Sequence, residues 1–307
     1  MSYSANDNRT KGMTDDMIQP FQLEVSNFRG RIVRLNDVLS DIVSAHNYPD
    51  FISRVLAEML AVTTMLGGML KFEGIFTMQT SGNGVIRSIV CDMTSAGDLR
   101  GYVSYDRDQV DNFSDDKDYS LHDVLGDGYM AFTVDQHMAE RYQGIVELQK
   151  TSIIDSVQHY FNQSEQIQTL LKTAVSKMKD GWMASAVMVQ KLPEDQKIQD
   201  VDKDDWNRTR ALLDTCTNEE LLNSELPLNE LLYRLFHEEG VRVFQVQELQ
   251  KNCRCNEQRV LNVLTTLSDD DLDHAEKDGQ IEMVCEFCSK KYEFTRDDIT
   301  AYKDAGE

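Results

Sequence analysis

The sequence has few basic residues and no apolar run long enough to cross a bilayer. Lys and Arg number 31 against 53 Asp and Glu, which gives a formal charge of −22. Because so acidic a surface repels nucleic acid and anionic lipid, we expect neither as a partner. The most apolar stretch, residues 55–70, contains Glu58 and two glycines and is too short for a membrane span. Residues 1–20 carry no secretory signal, so the expected location is the reducing cytoplasm.

Strand-like segments joined by short turns, with a few helical segments among them, dominate residues 21–192. This pattern predicts an α+β domain with a mostly antiparallel sheet and packed helices. Asn36 or Asp37 is placed to cap a short helix. The segment 81–84, Ser-Gly-Asn-Gly, supplies residues that accept positive φ in a tight hairpin. The polar residues 1–20 are expected to form a disordered tail.

The composition changes after residue 192. Residues 193–230 contain eleven acidic and four basic side chains, a net charge of −7 over 38 positions. Apolar side chains recur there at roughly helical spacing, namely Trp206, Leu212, Leu213, Leu221 and Leu222. A flexible linker would be more uniformly polar. We therefore predict a linker of marginal amphipathic helices whose apolar stripe rests on the preceding domain.

Cysteine is unevenly distributed along the chain. Four of the six cysteines fall within 36 residues, in a C-x-C pair and a C-x-x-C pair separated by 29 residues: Cys253, Cys255, Cys285 and Cys288. Two such pairs supply the four sulfurs of a tetrahedral zinc site. Cys91 lies in a strand pattern and is expected to be buried, whereas Cys216 lies in the linker and is expected to have no required role.

The residues around the clustered cysteines predict a small zinc-binding domain over residues 231–307. Residues 258–267 have a helical pattern, Ser268 can cap a second helix, and a hairpin is expected to place Cys285 and Cys288 at its turn. With few large apolar side chains, this domain needs a metal to hold it together. The spacing leaves open whether the thiols are inert ligands or a redox-active set, because C-x-x-C occurs in both.

Two groups of residues carry a resemblance to a known family. Near the cysteines they are Cys253-Arg-Cys255, Val284-Cys285-Glu-Phe-Cys288 and Tyr292-Glu-Phe294. Earlier in the chain they are Leu99-Arg100-Gly101-Tyr102, Tyr142-Gln143-Gly144 and Ser164-Glu165-Gln166. Together they resemble the bacterial 33-kilodalton heat-shock protein family of redox-regulated holdase chaperones, over residues 21–294.

This resemblance implies a role for each part of the chain. The clustered cysteines would bind one zinc ion per chain when reduced, with the linker lying on the N-terminal sheet. Oxidation would form the disulfides Cys253–Cys255 and Cys285–Cys288, release zinc and unfold the metal domain and then the linker. The exposed surface would hold unfolding or oxidatively damaged proteins and prevent their aggregation without ATP. On this interpretation the protein is a chaperone, not an enzyme, and the oxidised form is open to homodimerisation.

Two other functions stay open on the residues alone. A thiol–disulfide oxidoreductase would use Cys285 and Cys288, but it needs a thioredoxin-like βαβ setting that the local hairpin pattern does not give. A zinc-ribbon regulator of nucleic acid needs positive charge, whereas residues 241–307 contain nine basic and fifteen acidic residues.

Overall fold

The computed structural model of the chain describes residues 15–69, 73–115, 117–136, 140–191 and 203–305. In chain order its strands are β1 (Met17–Leu23), β2 (Phe28–Leu35), β3 (Gly74–Gly82), β4 (Ile86–Thr94), β5 (Asp98–Tyr105), β6 (Gly128–Gln136), β7 (Tyr142–Glu147), β8 (Thr169–Met178), β9 (Gly181–Lys191), β10 (Val241–Val243), β11 (Gln247–Glu248), β12 (Gln250–Lys251), β13 (Glu276–Lys277), β14 (Gln280–Val284) and β15 (Lys291–Phe294). Its α-helices are α1 (Asp37–Ser44), α2 (Asp50–Gly67), α3 (Leu121–Leu125), α4 (Ile153–Tyr160), α5 (Lys203–Thr215), α6 (Asn218–Leu221), α7 (Leu228–Phe236), α8 (Glu257–Leu264), α9 (Asp269–Ala275) and α10 (Arg296–Ala305).

Three sheets organise the strands, and nearly all of their pairings are antiparallel. The first sheet has the order β10-β1-β2-β9-β8, with β11 also pairing with β1. The second has the order β12-β5-β4-β3-β6-β7, in which β12 runs parallel to β5. The third, β13-β14-β15, belongs to a separate compact unit that begins at Asn252. The predicted α+β class with mostly antiparallel sheets is therefore confirmed.

Helix α2 is the central helix of the first unit. It packs against strands of both large sheets, and 14 of its 18 residues are buried. A helix that is apolar on every side belongs inside a core. Its buried polar groups are satisfied locally, because the Thr63 and Thr64 hydroxyls donate to the carbonyl oxygens of Met59 and Leu60 at 2.7 Å. No helix among the described residues is long and apolar enough to span a bilayer.

Two local predictions, for the turn between β3 and β4 and for the cap of α1, are wrong about the interaction that forms them. The segment between β3 and β4 contains no residue with positive φ. Instead, a Cβ atom on Gly82 would lie 2.2 Å from the Leu125 carbonyl oxygen, so the glycine is needed for close approach of another chain segment. Helix α1 begins after Asn36 as predicted, but the Asn36 side chain makes no capping bond. The cap is Asp16, whose Oδ1 accepts from the backbone N–H groups of Asn36 and Val38.

The boundaries between the parts of the chain differ from those predicted. Met17–Pro20 belong to strand β1, so the predicted tail is shorter than 20 residues, and residues 1–14 lie outside the described part. Residues 192–202 of the linker also lie outside it. The second compact unit begins at Asn252 rather than at residue 231. Strands β10–β12 and the part of helix α7 from residue 231 onwards were assigned to the zinc-binding domain, but they belong to the first unit because they pair and pack there.

Candidate metal centre and linker surface

Two loops of the second unit bring the four clustered cysteines together. Cys253 and Cys255 lie between β12 and α8, whereas Cys285 and Cys288 lie in the turn between β14 and β15. Backbone hydrogen bonds close this turn, since the Cys285 N–H donates to the Lys290 carbonyl at 2.9 Å and the Ser289 N–H donates to the Cys285 carbonyl at 2.8 Å. The C-x-x-C pair is thus folded back on itself in a hairpin, as the sequence predicted.

The sulfur atoms form a cluster that fits a tetrahedral metal ion. All four Sγ atoms lie within 4.8 Å of one another, with 3.7 Å between those of Cys253 and Cys285 and 3.4 Å between those of Cys255 and Cys288. A tetrahedron of Zn–S bonds of ~2.3 Å places its sulfurs ~3.8 Å apart. All four thiols are free and half-buried. The donor set and its spacing therefore suit zinc, and the four cysteines could hold it.

The electrostatics of the cluster favour a thiolate. Burial opposes ionisation of Cys253, but hydrogen bonds from the Cys255 backbone and from the neighbouring thiols lower its pKa to about 7. Burial and the adjacent sulfurs raise the pKa of Cys288. Closely spaced sulfurs cannot all ionise without a positive charge among them, which is the charge that a metal ion supplies.

The second unit has a small apolar core around this centre. Its buried apolar residues are Leu264, Leu272, Ile281, Tyr292, Phe294 and Ile299. Its helices begin at side-chain caps, because Asn256 accepts from the Arg259 N–H at 2.9 Å and Ser268 forms a reciprocal capping box with Asp271. Helix α10, which was not predicted, contributes Ile299 to the core. Because this core is small, a bound metal ion would contribute much of the free energy that keeps the unit folded.

The described part of the linker lies on the first sheet. Its helices α5 and α6 share a buried apolar cluster with strands β1, β2, β8 and β9. The Trp206 indole meets the Phe28 ring edge-on, with centroids 5.2 Å apart. Of the five predicted side chains, Trp206, Leu213 and Leu221 are buried, whereas Leu212 and Leu222 are partly buried at the edge of the cluster. The predicted stripe therefore packs on the sheet as one surface.

A buried arginine, which was not among the predicted site residues, holds the linker backbone. The Arg34 side chain in β2 is fully buried and donates from Nε to the Leu221 carbonyl at 2.8 Å and from Nη1 to the Leu226 carbonyl at 2.9 Å. Asp15 lies 3.5 Å from the guanidinium and also accepts from the Ser224 hydroxyl. Arginine in a strand usually faces solvent, so no local signal marked this residue.

A second ion pair links the linker to the segment that follows it. Arg208 of α5 donates to the carboxylate of Glu239, which is almost fully buried. Helix α7 lies between these two residues in the chain and contributes several leucines and Phe236 to the same apolar cluster. The sheet surface that is covered thus extends beyond the predicted linker, because α7 packs on the same apolar cluster as α5 and α6.

The two remaining cysteines are buried in different cores. Cys91 is fully buried beneath α2, as its strand pattern predicted. Cys216 is 1% exposed and lies between α5 and α6, against the first sheet. Burial and the nearby Glu220 carboxylate raise the pKa of Cys216 to about 11, so this thiol is protonated while the linker is docked.

The surroundings of the C-x-x-C pair do not resemble those of a thioredoxin-like dithiol. Such a motif lies before a helix in a βαβ unit. Here Cys285 and Cys288 occupy a turn between antiparallel strands, and the residue pairs of that hairpin run from Ile281–Phe294 to Val284–Lys291. The setting is that of a metal-binding hairpin.

These features define a class of protein: a two-unit α+β protein with a cluster of four cysteines suited to a metal ion and a helical segment docked on a sheet. The family model described as "Hsp33 protein" matches residues 16–295. The chain belongs to the Hsp33 family, which is a family of chaperones.

Individual relatives agree with this assignment. The chain is 33% identical over 288 residues to the "33 kDa chaperonin" of Caulobacter vibrioides, covering 92% of this chain and 95% of that one. It is 34% identical over 295 residues to the protein of the same name from Pseudomonas fluorescens, covering 94% of each. The crystal structure of the 33 kDa chaperonin from Thermotoga maritima has a TM-score of 0.78 at 22% identity, covering 95% of this chain and 99% of that one, so the fold is shared.

Proposed function

We propose that this chain is an ATP-independent holdase whose client binding is switched by the four clustered cysteines. In the reduced state Cys253, Cys255, Cys285 and Cys288 hold one zinc ion and the linker covers the first sheet. In the oxidised state the cysteines form disulfides and the linker leaves the sheet. The observation that carries this proposal is the pairing of a four-thiol cluster in a small unit with an apolar linker surface docked on the larger one.

The oxidation step balances with a peroxide as the oxidant. One thiol attacks the peroxide and becomes a sulfenic acid, releasing one molecule of water. A neighbouring thiol then displaces a second water molecule and forms the disulfide, so each peroxide removes two electrons from one sulfur pair. The proposed pairs are Cys253–Cys255 and Cys285–Cys288, which follow the family resemblance. Because all four sulfurs lie within 4.8 Å of one another, each has a partner within reach.

Loss of the four-thiol centre weakens the unit that contains it. Zinc, when bound, would join the loop after β12 to the β14–β15 turn and so supply folding free energy to a unit with a small core. Cys253 follows Lys251, the last residue of β12, by two positions. Strands β11 and β12 are two residues long each and pair with the edges of different sheets. Unfolding that starts in the second unit should therefore spread first to β11 and β12, because the fewest hydrogen bonds hold these strands.

The properties of the released surface fit unfolding polypeptides as partners. Undocking exposes apolar residues of the linker and of the first sheet, including Phe28, Trp206 and Leu213. The formal charge of −22 keeps a protein with such a surface in solution and disfavours nucleic acid and membranes. We infer a cytoplasmic chaperone without catalytic turnover that binds oxidatively damaged proteins and is able to dimerise when oxidised.

The test is a comparison of reduced and oxidised protein in an aggregation assay with a chemically unfolded client. Oxidised protein should suppress light scattering at stoichiometric amounts without added ATP, whereas reduced protein should not suppress it. Reduced protein should contain one zinc ion per chain, and peroxide should release it. The double variant Cys91→Ser, Cys216→Ser is the matched control, because it removes the two other thiols and should keep the switch. Equal suppression by both forms, or a reduced protein without zinc, would overturn the proposal.

A further inference from the structure

Tyr292 donates a hydrogen bond to one sulfur of the centre. Its hydroxyl lies 3.2 Å from the Sγ atom of Cys255, and the residue is 5% exposed. Strand β15 fixes the backbone of Tyr292 opposite Met283 of β14. The ring stacks on Phe294 at a centroid distance of 6.5 Å and an interplanar angle of 5°. The ammonium group of Lys290 lies 4.8 Å from the ring centroid. The hydroxyl is therefore held in place by packing on several sides.

A hydroxyl donor changes the chemistry of the sulfur that it contacts. A hydrogen bond to an ionised acceptor is stronger than a neutral one and withdraws electron density from the acceptor. A thiolate with less available electron density is a weaker nucleophile towards a peroxide. It is also a weaker donor to a metal ion, although its charge is better stabilised. Tyr292 therefore makes Cys255 chemically different from a thiolate without such a donor.

We propose that Tyr292 is a positioning residue that restrains Cys255 and raises the oxidant exposure needed to open the centre. This inference rests on the proposed function, since it concerns the same four thiols. The aromatic ring belongs to the core of the second unit, and the hydroxyl has a separate role in setting the reactivity of the sulfur. The two contributions are separable because phenylalanine retains the ring and removes only the hydroxyl.

The first test is the rate of zinc release by hydrogen peroxide, followed with a metallochromic dye in reduced, zinc-loaded protein. Tyr292→Phe should release zinc roughly two- to tenfold faster, which is the range expected for the loss of one hydrogen bond. Tyr302→Phe is the matched control in the same unit, because the Tyr302 hydroxyl donates to Asn262 at 2.9 Å and not to a cysteine. The control should release zinc at the wild-type rate. Equal rates for wild type and Tyr292→Phe would overturn the inference.

A spectroscopic measurement separates an electronic role from a structural one. In cobalt-substituted protein, removal of a hydrogen bond to a ligand sulfur raises the energy of its lone pairs. The sulfur-to-cobalt charge-transfer absorption of Tyr292→Phe should therefore move to lower energy, while that of Tyr302→Phe should not move. Incorporation of a fluorinated tyrosine at position 292 strengthens the donor and should slow zinc release. An unchanged cobalt spectrum, even with faster zinc release, would overturn the electronic role of the hydroxyl and leave only a structural one.

The outcomes distinguish this inference from the proposed function. Wild-type protein that binds no zinc, or that keeps it during peroxide treatment, would overturn the proposed switch itself. Wild-type protein that releases zinc, with Tyr292→Phe and the fluorinated protein behaving identically to it, would overturn only the role of Tyr292.

Discussion

Arg34 Nε donates to the Leu221 carbonyl oxygen at 2.8 Å, and this bond joins strand β2 to the linker. The same guanidinium also reaches the carbonyl oxygens of Leu226 at 2.9 Å and Glu220 at 3.3 Å. Carbonyl groups at a helix end lack partners within the helix, so an arginine that faces them satisfies both sides. The docked linker and the buried cation therefore stabilise each other, and each loses its partners if they separate.

Replacement of Arg34 by methionine should loosen the linker while zinc stays bound. The variant leaves the Leu221 and Leu226 carbonyl oxygens without the Arg34 donor and removes the positive charge that faces Asp15, which costs on the order of 3 kcal/mol. Alkylation of Cys216 by iodoacetamide should become faster, and the reduced protein should gain partial holdase activity. Arg87→Met is the matched control, since Arg87 forms an exposed ion pair with Asp106. Wild-type alkylation rates in Arg34→Met would show that Arg34 does not hold the linker.

Serine at position 213 should open the linker further than serine at position 212. Leu213 is 3% exposed and Leu212 is only partly buried, so Leu213→Ser loses most of the ~1.5–3 kcal/mol that a buried side chain contributes. Client aggregation in the presence of reduced, zinc-loaded protein is the measurement. Val263→Ser serves as the control because Val263 is exposed on α8. If the double variant Leu212→Ser, Leu213→Ser suppresses aggregation no better than reduced wild type, release of the linker does not control client binding.

Oxidation should remove structure from the second unit before it affects the large sheets. The apolar core of the second unit has six buried residues, whereas the core around α2 draws on both large sheets. Hydrogen exchange before and after peroxide treatment should show loss of protection in residues 252–305 first and in residues 203–251 next. Strands β3, β4 and β6 should stay protected. Uniform loss across the chain would contradict this order.

Docking of the reduced linker should weaken at alkaline pH. Burial raises the pKa of Cys216 from its ordinary value of 9.0 to about 11, so the docked state binds this proton more tightly than the released state. The contribution of Cys216 to docking is therefore complete below pH 9 and falls as the pH rises towards about 11. Intrinsic tryptophan fluorescence, which includes Trp206, should follow the change. Cys216→Ser should flatten the profile between these pH values, and an unaltered profile would exclude Cys216 as the cause.

The hairpin that carries Cys285 and Cys288 was predictable because its signals are local. Ser268 caps a helix within three residues of its partner, and Cys285 and Cys288 lie at a turn between two short strands. In the larger unit, by contrast, the features that were predicted wrongly depend on contacts between distant segments. The glycines at 82 and 84 suggested positive φ, yet what requires them is the approach of residues 124 and 125 from another segment. Such packing is set by tertiary structure and leaves no mark in the spacing of nearby residues.

Contacts between residues that are distant in sequence explain the remaining differences between the prediction and the structure. Val243 pairs with Phe21 across more than two hundred residues of sequence, and strands β10–β12 are too short to show a periodic pattern. The boundary placed at residue 231 missed them for that reason. Arg34 was missed because the linker that buries it is distant in sequence. The apolar stripe of the linker was identified because helical spacing is visible locally, although the sheet that receives it is not.

Strands β10–β12 also bear on how fast the protein refolds to its reduced, docked state. This segment adds β10 and β11 to one large sheet and β12 to the other, so a released chain has to find two separate edges again. Each pairing holds only two or three residues, and closing long loops to form them is slow. We expect recovery after reduction to lag well behind activation, which timed refolding with zinc would measure. We therefore expect the protein to remain in its client-binding state for some time after the oxidant has been removed.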